Sequence, residues 1–270
     1  MGRHIVMALA AAGWHVVALD TAFDAALEYA WDRQPTIELM TGDASALPSV
    51  KLQALVHAAA ITRMPSDEDG DTPEQNLKEN LEPVLALLAW AHQQHLRRAI
   101  FISSDAIYST KRPGAIDERE PPTPLGTYAS AKAATESMVV TLREVYGRDV
   151  IAARLSGVYG SGEQSRASRP RVSPVLRMIQ SAYERGSVQV ERLSASRAWT
   201  YAEDIGTAIE ALLKVSALNH AVYNIATEEC LTDAQMAQAL QQHLPHLQIE
   251  YVDSGQDARP QSYLSHARLR

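Results

Sequence analysis

Along this chain, short apolar runs alternate with stretches whose apolar residues recur every three or four positions. Residues 3–12 have the helical spacing and are closed by Gly13. H-V-V-A-L-D at 15–20 is an apolar run ending on an acid, and it predicts a buried strand. A helix over 23–32 and a strand near 36–40 follow. A-L-V-H-A-A-A at 54–60 predicts the next strand, and a long helix occupies 75–95. R-A-I-F-I-S-S at 98–104 is a strand with Ser104 at its carboxyl end, followed by a helix over 126–146 and a strand over 150–159. Apolar strands separated by helices predict an α/β fold: a doubly wound parallel sheet covered on both faces. Ligands of such sheets lie beyond the carboxyl ends of the strands, where Asp20, Ala58, Ala59, Ala60 and Ser104 fall.

Past residue 160 the alternation loosens. S-G-E-Q-S-R-A-S-R-P-R at 161–171 reads as a mobile polar loop. Helices near 173–186, 202–215 and 232–243 and strands near 187–191, 221–226 and 247–252 complete the chain. The polar stretch at 64–74 reads as a surface loop, because it lacks the spaced ligands of a calcium loop.

Composition narrows the function classes. With 270 residues, 46% of them hydrophobic, the chain can bury a large core. A net charge of −7 without a basic stripe gives no support for nucleic-acid binding. The single Cys230 excludes an internal disulfide and a cysteine metal cluster; with no base beside it, it reads as structural. That fits a reducing, cytoplasmic compartment. Arg3, His4 and the apolar run after them mimic a signal peptide, but Gly13, Trp14 and His15 interrupt it. No run is long and apolar enough to predict a membrane span.

The candidate chemistry lies in Y-A-S-A-K. Tyr128 and Lys132 are four apart, so on a helix they share a face, and Ser104 lies 24 residues upstream. An ordinary tyrosine titrates near ~10, too high for a base at neutral pH. A cation beside it favours the phenolate, and an oxidised nicotinamide ring would favour it further. Tyr128 could then accept a hydroxyl proton while a hydride leaves the same carbon, with Ser104 holding the reacting oxygen. This is alcohol–ketone redox chemistry, and it needs a dinucleotide. Asp20 can accept hydrogen bonds from a ribose diol and repel a 2′-phosphate, which favours NAD over NADP. His57, in an apolar strand, reads as a packed core histidine.

Further motifs fall in order around that set. Gly2, Gly13 and Asp20 look like the last glycine of a G-x-x-G-x-x-G loop, a turn glycine and a ribose-binding acid. Gly42-Asp43, V-H-A-A-A at 56–60, Asn80, I-S-S-D-A-I-Y at 102–108, R-L-S-G-V-Y-G at 154–160 and R-A-W-T-Y-A-E-D at 197–204 follow. From Gly2 to about residue 230 the chain resembles the extended short-chain dehydrogenase/reductases of the NAD-dependent epimerase/dehydratase type. The resemblance implies a Rossmann-type NAD-binding domain over 1–160. It also implies a smaller substrate-binding region over 161–270, partly interleaved with the first. It implies catalytic Ser104, Tyr128 and Lys132. It implies NAD held by Gly2, Asp20, Asp43, Ala58, Ala59, Ala60, Asn80, Tyr128 and Lys132. It implies a sugar or sugar derivative held by Ser104, Asp105 and Arg197, and no metal. It also implies a homodimer pairing the 75–95 and 126–146 helices, whose Leu87, Leu88, Trp90, Met138, Val139 and Leu142 cannot all point at the sheet.

Three departures shape the expected function. Gly2 matches the third glycine of the phosphate loop, so the preceding strand, central in such sheets, is not in the sequence. Five or so buried side chains of ~1.5–3 kcal/mol each would rival a total stability of about 5–15 kcal/mol. The expectation is that Met1 is an internal methionine of a longer protein. Ala106 stands where dehydrating relatives carry the second acid of a pair, which favours epimerisation or simple redox over 4,6-dehydration. Gly157 stands where many nucleotide-sugar epimerases place an asparagine, which puts a nucleotide diphosphate substrate in doubt. The expected function is an NAD-dependent epimerase/dehydratase-like oxidoreductase working through a keto intermediate, with Tyr128 as base. The alternatives are an NAD(P)-dependent dehydrogenase/reductase of a small carbonyl compound and a non-catalytic dinucleotide-binding protein.

Overall fold

The computed structural model describes residues 1–44, 47, 51–63, 72–109, 113–190, 196–252 and 262–270. The loop expected at 64–74 therefore lies largely outside the described residues. The first half runs α1 (Gly2–Ala11), β1 (Val16–Asp20), α2 (Ala25–Trp31), β2 (Ile37–Thr41), β3 (Ala54–His57), α3 (Pro73–Gln93), β4 (Arg98–Ser104), β5 (Gly114–Ile116), α4 (Thr127–Glu144), β6 (Val150–Leu155) and β7 (Gly157–Tyr159). The second half runs α5 (Pro174–Arg185), β8 (Ser187–Val190), β9 (Ser196–Tyr201), α6 (Ala202–Lys214), β10 (Val222–Ile225), β11 (Cys230–Thr232), α7 (Asp233–His243), β12 (Gln248–Tyr251) and β13 (Ser262–Leu264). Polar residues start several helices as their chemistry dictates. Asp24 accepts from the Leu27 amide at 2.8 Å, Thr72 and Ser173 cap helices whose first residue is proline, and Thr232 with Gln235 forms a capping box.

The centre is a four-stranded parallel sheet in the order β10-β6-β4-β3. Side chains alternate across it as strand geometry requires. Ile100, Ile102, Ile151, Ala153 and Leu155 point into a core with α1 and α6. Ala99, Phe101, Val150 and Ala152 point into a second core with α3 and α4. The result is the expected doubly wound α/β arrangement. Gly206 lets α6 cross α1 closely, since a Cβ there would sit 2.5 Å from the His4 carbonyl oxygen. α6 and β10 return to the main sheet from the carboxyl-terminal half, while α5, α7 and β8 enclose a small core of their own around Val188, Val190 and Ala237. Among the described residues no helix is long and apolar enough to cross a membrane.

Among the described residues β1 and β2 pair in parallel with each other but not with the four-stranded sheet. β1 and β3 instead both line one cleft. Other differences from the sequence expectation are local. β3 stops at His57, and the 150–159 strand breaks at Ser156. There the chain leaves the main sheet, Ser156 Oγ meets Thr200 Oγ1 at 2.6 Å, and β7 pairs with β9. The apolar surplus expected on the two long helices is absorbed within the chain. Leu87, Leu88 and Val139 are buried, Met138 and Leu142 pack on the same core, and Trp90 lines the cleft.

A buried charged network ties α4 to the sheet and to the tail. The Arg154 guanidinium binds Glu136 (2.7 Å), Tyr108 Oη and the Glu118 carbonyl. Glu118 accepts from the Asn224 amide at 2.9 Å and meets Arg268 at 3.5 Å. Both members of the Arg154–Glu136 pair are almost wholly removed from solvent. A group so placed needs its partner, because an unpaired buried charge is strongly destabilising.

Candidate active site

Ser104 ends β4, with its Oγ accepting from the Ala106 amide at 3.2 Å and lying 3.5 Å from Asp105 Oδ1. Gly126 adopts φ 90°, a left-handed turn that few other residues tolerate, and α4 begins at the next residue. Tyr128 therefore sits in the first turn, where it hydrogen-bonds Ser104. Lys132, one turn on, is only 6% exposed. Its Nζ donates to the Ile102 carbonyl at 2.8 Å and lies 5.8 Å from the centroid of the Tyr128 ring. The motif is thus assembled at the end of a strand buried in all but its last residue, Ser104, and on the helix packed against it.

The electrostatics differ from the sequence expectation. Burial pushes the Tyr128 phenol above its ordinary value, the Ser104 hydrogen bond opposes that, Asp105 pushes it up further and Arg169 opposes it. Lys132 does not lower it: the ammonium is engaged by the Ile102 carbonyl, and burial drops its own pKa to about 8, with Glu136 working against the drop. In this environment the phenol holds its proton more tightly than a free tyrosine, and a positive charge beside it would work in the opposite direction.

The other end of the cleft collects the residues expected to hold the cofactor. Gly2 opens α1, and Asp20 ends β1 with its carbonyl accepting from the Gly42 amide at 3.0 Å. Asp43, Ala58, Ala59 and Ala60 line the same space. Asn80 pins the backbone after Ala60, accepting from the Ile61 amide at 3.0 Å and donating to its carbonyl at 3.1 Å. Ser104, Asp105, Tyr128 and Lys132 line the cleft too, so it joins both sets in a cavity of about 2120 Å³. Arg197 is the exception: on β9 its guanidinium lies 5.1 Å from the Trp199 ring, and it does not line the cleft. A Cβ on Gly157 would come within 3.0 Å of the same Trp199 ring, so a larger residue there requires the indole to move.

Sequence reading missed the charges that close over this end. Arg3 pairs with Asp24 at 3.0 Å, and Arg166 lies 3.7 Å from Asp20 and 3.5 Å from Asp24. The Ser168 carbonyl accepts from the Thr62 amide at 2.8 Å. Glu163 accepts from the Ser173 amide (2.7 Å) and hydroxyl (2.6 Å) and from Arg169 (3.0 Å). The polar 161–171 stretch, expected as a mobile loop, is thus hydrogen-bonded into the cleft wall. Its contacts with Thr62, Asp20 and Asp24 join residues more than a hundred positions apart, and no local pattern announces them.

The donor set suits a dinucleotide. Small alanines leave a flat wall, the Asp20 carboxylate matches a ribose diol, and the first-turn amides of α1 with Arg3 suit a pyrophosphate.

Comparison with known proteins agrees with this geometry. The model of the NAD dependent epimerase/dehydratase family matches residues 1–226. The dTDP-D-glucose 4,6-dehydratase of Homo sapiens is 30% identical over 154 residues, which is 57% of this chain and 42% of that protein. The UDP-glucuronate 4-epimerase of Thermodesulfobacterium geofontis (strain OPF15) is 27% identical over 164 residues, 60% of this chain and 48% of that protein. The chain thus spans less than half the length of these curated relatives. Among solved structures, UDP-glucuronic acid 4-epimerase from Bacillus cereus in complex with NAD superposes with a TM-score of 0.79 at 18% identity, covering 99% of this chain and 87% of that one. UDP-N-acetylglucosamine 4-epimerase from Methanobrevibacter ruminantium M1, in complex with UDP-N-acetylmuramic acid, gives 0.82 at 21% identity, covering 98% and 86%. These two share the fold. With a family match over residues 1–226 of its 270, this chain belongs to the NAD dependent epimerase/dehydratase family.

Proposed function

We propose that the protein is an NAD-dependent oxidoreductase of the epimerase type, acting on a sugar or sugar derivative through a keto intermediate. The observation that carries this reading is the Ser104–Tyr128–Lys132 arrangement at the carboxyl end of β4. Asp20, Asp43, Ala58, Ala59, Ala60 and Asn80 would line the cofactor, with its pyrophosphate at Gly2 and the α1 amides. Bound NAD would supply the hydride acceptor and a positive charge near the phenol. Ser104 then orients the substrate oxygen, and Tyr128 accepts the hydroxyl proton. Lys132, held on the Ile102 carbonyl, is positioned to bind ribose hydroxyls and fixes the α4 end of the site. Asp105 has Ala106 beside it rather than a second acid, which favours epimerisation over 4,6-dehydration.

Tyr128→Phe is expected to abolish turnover, a loss of at least ~10²-fold, while NAD affinity measured by calorimetry stays within a few-fold. Unchanged turnover would remove Tyr128 from the mechanism. With candidate sugars and NAD, steady growth of reduced-cofactor absorbance would identify a dehydrogenase instead, because an epimerase returns its hydride. The sole cysteine supports a reducing, cytoplasmic setting. A homodimer through the outer faces of α3 and α4, where Leu85 is exposed, completes the proposal. A monomeric mass in solution at micromolar concentration would remove that last part.

A further inference from the structure

Two carboxylates stand close together at the cofactor end: Asp20 ends β1 and Asp24 caps α2. Their surroundings differ. Asp24 accepts from the Leu27 amide at 2.8 Å, from Arg3 at 3.0 Å and from the Gln164 side chain at 3.1 Å. Asp20 accepts from its neighbour Thr21 at 3.4 Å, and among the described residues the cation within ion-pair reach of it is Arg166, at 3.7 Å. The next cation in the sequence after Asp20 is Arg33, whose guanidinium lies over the Tyr29 ring instead, 3.8 Å from its centroid. The fold therefore brings to Asp20 an arginine that the local sequence does not provide. Arg166 projects from a fixed turn: its amide donates to the Arg169 carbonyl at 3.0 Å, and its carbonyl accepts from the Arg169 amide at 2.9 Å. The Ser168 carbonyl ties that turn to Thr62, and Glu163 ties Arg169 to the cap of α5. Arg166, Asp20 and Thr21 line the cleft together.

We propose that Arg166 is a specificity-determining residue for the cofactor, which lets this end of the cleft take a 2′-phosphorylated dinucleotide as well as NAD. The proposal rests on the reading that the adenine-side ribose lies at Asp20. A carboxylate alone at that ribose accepts its hydroxyls and repels a phosphate, whereas an arginine beside it accommodates one. The guanidinium fork matches phosphate oxygens, and a charge-assisted bond of that kind is stronger than a neutral one. With NAD bound, Asp20 accepts from the ribose hydroxyls and keeps Arg166 as its counter-charge. With a 2′-phosphate bound, Arg166 exchanges its pair with Asp20 for one with the phosphate. Asp24 keeps Arg3 and the Leu27 amide through that exchange, so α2 stays capped. The Arg166 and Asp20 side chains are 37% and 49% exposed, so their pair is weak enough to exchange and open to screening by salt.

The test measures binding and not turnover: calorimetric affinities for NAD and for NADP in the unsubstituted protein and three variants. The unsubstituted protein should bind NADP within about tenfold of NAD. Arg166→Ala should widen that ratio by at least about tenfold, by weakening NADP while NAD stays within a few-fold. Arg166→Lys keeps the charge and should recover most of the difference, and high salt should shrink it. An unchanged ratio in Arg166→Ala overturns the proposal. So does a parallel loss of both affinities, which would make Arg166 a support for the 161–171 stretch alone. Rejection of NADP by the unsubstituted protein beyond about tenfold overturns it as well. Asp20→Asn separates the proposal from the reading beneath it, and should weaken NAD and narrow the ratio. If that variant binds both dinucleotides as before, or if the unsubstituted protein binds neither, the placing of the ribose at Asp20 fails and the proposal with it. If Asp20→Asn shifts the ratio and Arg166→Ala does not, the role of Arg166 alone is lost.

Discussion

β4 and β6 have the same kind of sequence as β1 and β3, but a different fate. Six of the seven residues of β4 and all six of β6 are buried, whereas β1 has one buried position in five and β3 one in four. An apolar run thus predicts a parallel strand without predicting how deeply it is buried; that depends on a neighbour on each edge. The same contrast divides the site. Ser104, Tyr128 and Lys132 stand on the deeply buried half, while Asp20, Asp43 and Ala58 to Ala60 stand on the half-exposed one. On the proposed reading, the proton-transfer groups are anchored on one side of the cleft and the cofactor-contacting groups on the other.

The contrast can be broken by mutation. Phe101→Ala, at a side chain with no solvent exposure, should cost ~3–5 kcal/mol in denaturant unfolding. Val17→Ala on half-exposed β1 should cost less than ~1 kcal/mol in the same assay. Equal costs would mean that the two halves are packed alike.

Next in size is a pH effect on β3. His57 packs against Phe101 with ring centroids 5.7 Å apart, and burial, helped by the Lys132 charge, lowers its pKa from 6.5 to about 4. Between those values the unfolded chain binds a proton that the folded one refuses, so stability rises with pH. The contribution is full above pH 6.5 and is lost as pH falls to about 4, a change of ~3 kcal/mol. His57→Phe should flatten the stability profile across that window; an unaltered slope would show that the imidazole is solvated. A smaller effect than that of His57 concerns the start of α2. Asp24→Ala removes the α2 cap and its pairs with Arg3 and Arg166, and should cost about 1 kcal/mol. A larger loss would show that the 161–171 stretch depends on Asp24 for its place.

The juxtaposition of Ser104, Tyr128 and Lys132 was legible because Tyr128 and Lys132 share a helix face and Ser104 ends an unbroken apolar run. What burial does was not legible. Y-A-S-A-K suggests a phenol lowered by its lysine, whereas depth in the fold raises the phenol and turns the lysine to a carbonyl. The short strands β5, β11 and β13 have three residues each, too few to display a period. Arg197, expected at the substrate, lies with its guanidinium 5.1 Å from the Trp199 ring, a neighbour that no spacing in the sequence reveals.

The Arg154 network has a consequence for mutational surveys. Arg268, near the end of the sequence, contacts Glu118 and the Val222 carbonyl; Glu118 and Glu136 both meet Arg154, and Glu136 lies one turn beyond Lys132 on the same helix. A random screen for inactive clones should therefore return changes at Arg268 and Asn224. Inspection of the cleft alone would pass over these positions, because neither side chain lines it.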